Sequence, residues 1–139
     1  MTQKTINELK WIPLERVGPF KFGCSIKEYV QKYGLVNIPE EYNEKVDWEV
    51  YKFCEGDRIY TENGRIISVL CSSNCLYKGR NLIGMPIDQI QVILGCKPDN
   101  VEMLELSDGP QKIYDFEKLG LQLWVMGGNV VTALLNDGE

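Results

Sequence analysis

Histidine is absent from the 139 residues, and this removes a large part of enzyme chemistry. The commonest general base is missing, and with it the Ser-His and Cys-His nucleophile pairs. No imidazole is available to complete a zinc set, and the Cys71-Ser72-Ser73-Asn74-Cys75 spacing is neither a redox CxxC nor half of a zinc site. Phosphate-cradling loops of the GxxxxGK[ST] or GxGxxG type are missing as well. Gly127-Gly128-Asn129 is glycine-rich but lies inside a hairpin pattern, where it reads as a turn. Carboxylates remain the one catalytic option, through Glu40-Glu41 and Asp57. The first two sit in a polar stretch beside Asn43 and Lys45, a setting that suits solvated side chains. The chain therefore reads as a non-enzyme with no cofactor and no metal.

Two further absences narrow the class. No segment approaches the run of about 20 apolar residues that a membrane span needs, and the opening "MTQKTINELKWIPLER" lacks the apolar stretch of a signal peptide. A cytoplasmic location is expected. An excess of basic charge is also missing. The net charge is −5: residues 1–78 carry 11 cations against 11 acids, and residues 79–139 carry 4 against 9. That balance argues against direct nucleic-acid binding. It suits a basic partner, or simply solubility. The five cysteines are odd in number and spread through apparently structured segments, as in a reducing compartment where free thiols pack as small hydrophobes.

What is present is enough for one folded domain over residues 1–139: 44% of the residues are hydrophobic and 25% charged. The most informative feature is a pattern that occurs twice. "FGCSIKEYVQKYG" (22–34) and "IGMPIDQIQVILG" (83–95) share, in order, a glycine, an apolar residue, a helix starter, an isoleucine and a closing glycine. In the first, Ser25-Ile26-Lys27-Glu28 spells a capping box, with Ser25 and Glu28 each satisfying the other's backbone N–H. Ile26, Tyr29, Val30 and Tyr33 then mark one apolar helix face. In the second, Pro86 starts the helix, Ile87, Ile90 and Leu94 form its face, and Gly95 stops it. Two short helices of about ten residues are predicted, each needing something to pack on.

The downstream pattern also recurs. Val50-Tyr51-Lys52-Phe53 matches Ile113-Tyr114-Asp115-Phe116, and "DRIYTENGRIISVL" (57–70) matches "LQLWVMGGNVVTALL" (121–135). Each reads as a strand followed by a hairpin turning on Asn63-Gly64 or Gly127-Gly128. The offset between copies drifts from 61 to 64 residues. The expected fold is α+β: a tandem repeat of short helix plus antiparallel β-meander, approximately 12–77 and 78–139, with both helices packed on one antiparallel sheet.

Between helix and hairpin, each unit holds a stretch rich in acids and aromatics, 40–57 and 99–117, read here as acidic loops. Tyr51 and Tyr114, which align, suit the core. Trp48 has no counterpart, and Trp124 faces away from Leu123 and Val125. Trp48 and Trp124 are therefore candidate interface anchors. Glu40, Glu41, Glu44, Asp47, Glu102, Glu105 and Asp108 are candidate charged contacts that would steer a basic partner.

The repeated Gly-x-[Ser/Pro]-Ile-x-x-[Tyr/Ile]…Gly pattern followed by a meander resembles the tandem repeat of the β-lactamase inhibitory protein and of BamE/SmpA lipoproteins. The chain lacks their lipobox and paired-cysteine framework. Its acidic, histidine-free, catalytically silent character is also similar to the immunity proteins of contact-dependent inhibition and polymorphic toxin systems. That resemblance implies a cytosolic protein that binds and neutralises a cognate toxin, a basic nuclease domain, by blocking its active site. The BamE-like pattern implies instead a non-inhibitory assembly adaptor.

Overall fold

Asn63-Gly64 and Gly127-Gly128 are where the backbone most plainly obeys the sequence. All four residues have positive φ, at 54° and 75° in the first pair and 61° and 86° in the second. Two consecutive left-handed residues make a type I′ turn, whose twist matches that of the strands it joins. The computed structural model, which describes residues 8–39, 48–54 and 56–138, builds its main sheet around these two hairpins. The first joins β6 (Asp57–Glu62) to β7 (Arg65–Cys71), and the second joins β12 (Leu121–Met126) to β13 (Asn129–Asn136).

Four further strands and two helices complete the main body: α1 (Lys27–Tyr33), β4 (Val36–Asn37), β5 (Trp48–Cys54), α2 (Ile87–Leu94), β10 (Asn100–Leu106) and β11 (Gly109–Phe116), with the remaining strands in small ladders. The main sheet has eight strands, all antiparallel, in the order β10-β11-β12-β13-β7-β6-β5-β4. The two hairpins meet at its centre, where Leu134 pairs with Leu70 and Leu135 with Val69. Strand structure thus dominates an α+β chain with two short α-helices among the described residues.

The small ladders were not foreseen. β1 (Trp11–Ile12), β2 (Arg16–Val17) and β3 (Phe20–Lys21) form a three-stranded sheet, and β8 (Leu76–Tyr77) pairs with β9 (Arg80–Asn81). Strands of two residues are too short for alternation to register.

Alternation divides the main sheet into two faces. On one, Ile59, Val69, Leu135, Leu121 and Phe116 stand in register across five strands and are buried. Ile26, Ile87 and Ile90 join them in one hydrophobic cluster that draws on residues from Leu9 to Leu135. This is the face the helices cover.

The same three backbone hydrogen bonds fasten the segment before each helix to the end of a hairpin. Gly23 N–H donates to Ile66, Ile66 to Cys24 and Ile26 to Gly64; Gly84 donates to Val130, Val130 to Met85 and Ile87 to Gly128. Both helices close on a left-handed glycine, Gly34 and Gly95.

Two local expectations are corrected. The helices are shorter than ten residues, because the residues before them are spent on those strand-like bonds. The capping box is not made: Ser25 Oγ accepts from Lys27 N–H at 3.3 Å, and no side chain caps the helix. Ser25 itself bridges Arg65, which holds it outside the geometry that would reach Glu28. Among the described residues no helix is long and apolar enough to cross a membrane.

Candidate functional site: the open face of the sheet

Among the described residues no helix lies on the opposite face of the sheet, and its composition differs. One row of register partners crosses all eight strands: Asn100, Asp115, Gln122, Leu134, Leu70, Arg58, Lys52 and Val36. Polar and charged groups thus flank a central apolar pair. Beside that row stand Ile113 and Trp124 on one flank and Tyr60 and Val50 on the other. Val50 and Ile113 are buried at 2% and 5% exposure yet belong to no part of the main cluster. They are covered by neighbours on the open face, which therefore has a small apolar lining of its own.

A β-bulge in each hairpin shapes this face. Pairing of β6 with β7 shifts after Tyr60, leaving Ile67 as the extra residue; pairing of β12 with β13 shifts after Trp124, leaving Val131. Bulges increase local twist and re-aim side chains. Tyr60 and Trp124 stand at the same place in their hairpins, each three residues before the turn, and both reach the open face.

Between them lies a groove of about 770 Å3, lined chiefly by Trp48, Tyr60, Ile67, Leu70, Trp124 and Leu134. Its polar edge includes Glu62 and Asp137, and among the described residues no cation lines it. The two tryptophans are oriented from within the chain. Trp48 Nε1 donates to Glu62 Oε2 at 3.1 Å, and Trp124 Nε1 donates to Gln122 Oε1 at 2.9 Å. Gln122 Nε2 in turn donates to Asp115 Oδ1 at 2.8 Å. With both indole N–H groups satisfied, an arriving partner meets rings whose ordering cost has been met in advance.

The structure brings together some of the predicted site residues and separates others. Trp48 and Trp124 line the same groove, and Glu102 shares the row of Ile113 and Trp124 on that face. Glu105 points to the helix side of the sheet, and Asp108 lies in the turn between β10 and β11. Glu40, Glu41, Glu44 and Asp47 lie outside the described residues. The stretch 99–117 is corrected from an acidic loop to a hairpin, because a turn at Ser107-Asp108 closes β10 onto β11 in seven register pairs. Trp48 likewise belongs to a strand. Tyr51 and Tyr114 pack against the main cluster. Tyr60, Ile67, Leu70 and Leu134 were missed; their alternation with Ile59, Val69 and Leu135 was the signal that could have found them.

Asp57 has a structural task. It is fully buried and accepts from the backbone N–H groups of Ser72 and Ser73 at 2.7 and 3.2 Å and from the Ser73 hydroxyl. A carboxylate so engaged ties the chain after β7 to the start of β6. Among the described residues no group of three Cys, Asp or Glu is arranged to hold a metal ion, and none of Cys24, Cys71, Cys75 and Cys96 is disulfide-bonded. Comparison with protein-family models, with curated proteins and with solved structures finds no match to this chain.

Proposed function

We propose that this chain is an inhibitor-type binding protein: a cytosolic immunity protein that neutralises a cognate toxin, a basic nuclease domain, by occupying its active site. The observation that carries the reading is the groove on the open face, where Trp48 and Trp124 meet in an apolar lining edged by carboxylates. Aromatic anchors within a polar rim are what protein interfaces use for affinity. The surrounding acids would accelerate encounter with a basic surface and stand in for the phosphates such an enzyme binds. Protection in a cell needs sub-nanomolar affinity, about 12 kcal/mol or more, and an interface of this class buries about 1,600 Å2 in total.

The finer architecture belongs to the same proposal. The matched backbone bonds before each helix, the matched bulges and the matched turns support two helix-plus-meander units, approximately 12–77 and 78–139, in tandem. That architecture also favours a second reading, a non-inhibitory assembly adaptor of BamE-like fold. Pull-down from the native host with mass spectrometry, followed by co-expression with any nuclease recovered, separates them. Protection of the cells supports immunity. Equal killing with and without this chain overturns it, and a stable complex without inhibition identifies the adaptor.

A further inference from the structure

The main sheet ends in two unlike edges. β4 offers two residues, Val36–Asn37. β10 offers seven, paired with β11 throughout without a bulge, and it contains neither proline nor lysine. Every residue from Asn100 to Asp108 is exposed, including Val101 at 47%, Met103 at 59%, and Leu104 and Leu106 at 38% each. In an antiparallel ladder bonded on one side, alternate residues turn their N–H and C=O groups outward. Among the described residues nothing pairs with the outer edge of β10. Sheets ordinarily blunt such an edge with a bulge, a proline, a covering element or charged side chains; β10 has no bulge, proline or cation, and the charges it carries, Glu102 and Glu105, are all negative.

We propose that the outer edge of β10 receives an extended, cation-bearing segment of another protein as a ninth strand of the main sheet. Unused backbone groups supply the pairing, which is sequence-tolerant. Val101 and Met103 on the helix side and Leu104 and Leu106 on the open side supply apolar contact for an alternating strand. The charge selects the occupant. Asp99, Glu102, Glu105 and Asp108 recur along the edge and all are exposed, whereas Lys112 is the one cation on β10 and β11. Two copies joined edge to edge would place Glu102 and Glu105 of both chains along one seam, and like charges facing across strands destabilise. A lysine- or arginine-bearing strand meets opposite charges there. The groove takes no lining residue from β10, so this edge and the inhibitor reading stand or fall separately.

The test titrates the full-length, isotopically labelled chain with an acetylated, amidated peptide, Lys-Val-Lys-Val-Thr-Val-Lys, and follows backbone amide exchange. Exchange is expected to slow at alternate residues of Asn100–Leu106. The same peptide N-methylated at every second residue should fail to bind. The double variant E102K/E105K, whose fold is checked by unchanged exchange in β12 and β13, should bind at least about tenfold more weakly. Absence of binding, equal binding of the methylated peptide, or protection confined to other strands overturns the proposal. So does protection of β10 that grows with protein concentration alone, which would assign the edge to a second copy.

Discussion

Gly120 ends a single turn of 3-10 helix, Glu117–Leu119, with φ at +63°. A Cβ built there would lie 2.2 Å from the Asn136 carbonyl oxygen, which belongs to a residue whose own N–H donates to Gly120. Backbone against backbone cannot yield easily. Gly120→Ala should therefore cost roughly 2–4 kcal/mol, combining left-handed strain and overpacking. Gly127→Ala, at φ +61° with nothing within 4 Å of the added carbon, should cost only about 1–2 kcal/mol. Denaturant midpoints of the two variants test the difference. A second residue-scale prediction concerns Tyr51. Burial, and then the Glu49 carboxylate to which its hydroxyl donates at 3.2 Å, raise its phenol above the ordinary 10.0. The folded state thus favours the neutral form. Its contribution is complete below pH 10 and is lost as the pH climbs through the raised value. Burial raises Tyr29 in the same direction. Tyr51→Phe should consequently reduce, but not abolish, the loss of stability measured by urea unfolding above pH 10.

Among the elements, α2 shows how little helix this fold requires. Its eight residues would be marginal alone, and it is held by what it packs on. Ile90 is fully buried, whereas Val92 is 80% exposed on the same helix. Ile90→Ala should destabilise by about 2–5 kcal/mol, and Val92→Ala should stay within about 0.5 kcal/mol; thermal unfolding of both variants checks the contrast. The two central hairpins were legible in the sequence because Asn63-Gly64 and Gly127-Gly128 specify turns by local backbone preference alone. The β10–β11 hairpin turns instead on Ser107-Asp108, neither of them left-handed, and its acids resembled a loop. Glu102 and Glu105 can lie in a strand because an edge strand keeps both faces near water.

For the whole molecule, the decisive asymmetry is that the helices cover one sheet face and, among the described residues, leave the other open. Trp48 and Trp124 come from strands separated by three others in the sheet's order, yet they line one groove because register and bulges aim both to the same side. If the groove is the binding surface, Trp48→Ala and Trp124→Ala should each weaken the partner complex by about 2 kcal/mol, roughly 30-fold. Stability should fall by only about 1 kcal/mol in each case, since both rings are partly exposed. Calorimetric titration against the recovered partner measures the first quantity and urea unfolding the second. Wild-type affinity in both variants would remove the groove from the interface.

The sequence by itself determined the elements whose causes are local: two short helices, their glycine stops, two type I′ turns and the alternation that gives each strand a buried and an open side. It also placed Trp124 opposite Leu123 and Val125, since side chains alternate across a strand whatever lies beyond it. Only the tertiary structure decided which strands are neighbours. Pairing β13 with β7 joined the hairpins, set Leu134 beside Leu70 and made one groove from two half-faces, because register between distant segments is a property of their mutual packing. The same pairing left β10 at the rim with its backbone unpartnered. No local preference distinguishes a central strand from an edge; that difference exists only once the whole sheet has formed.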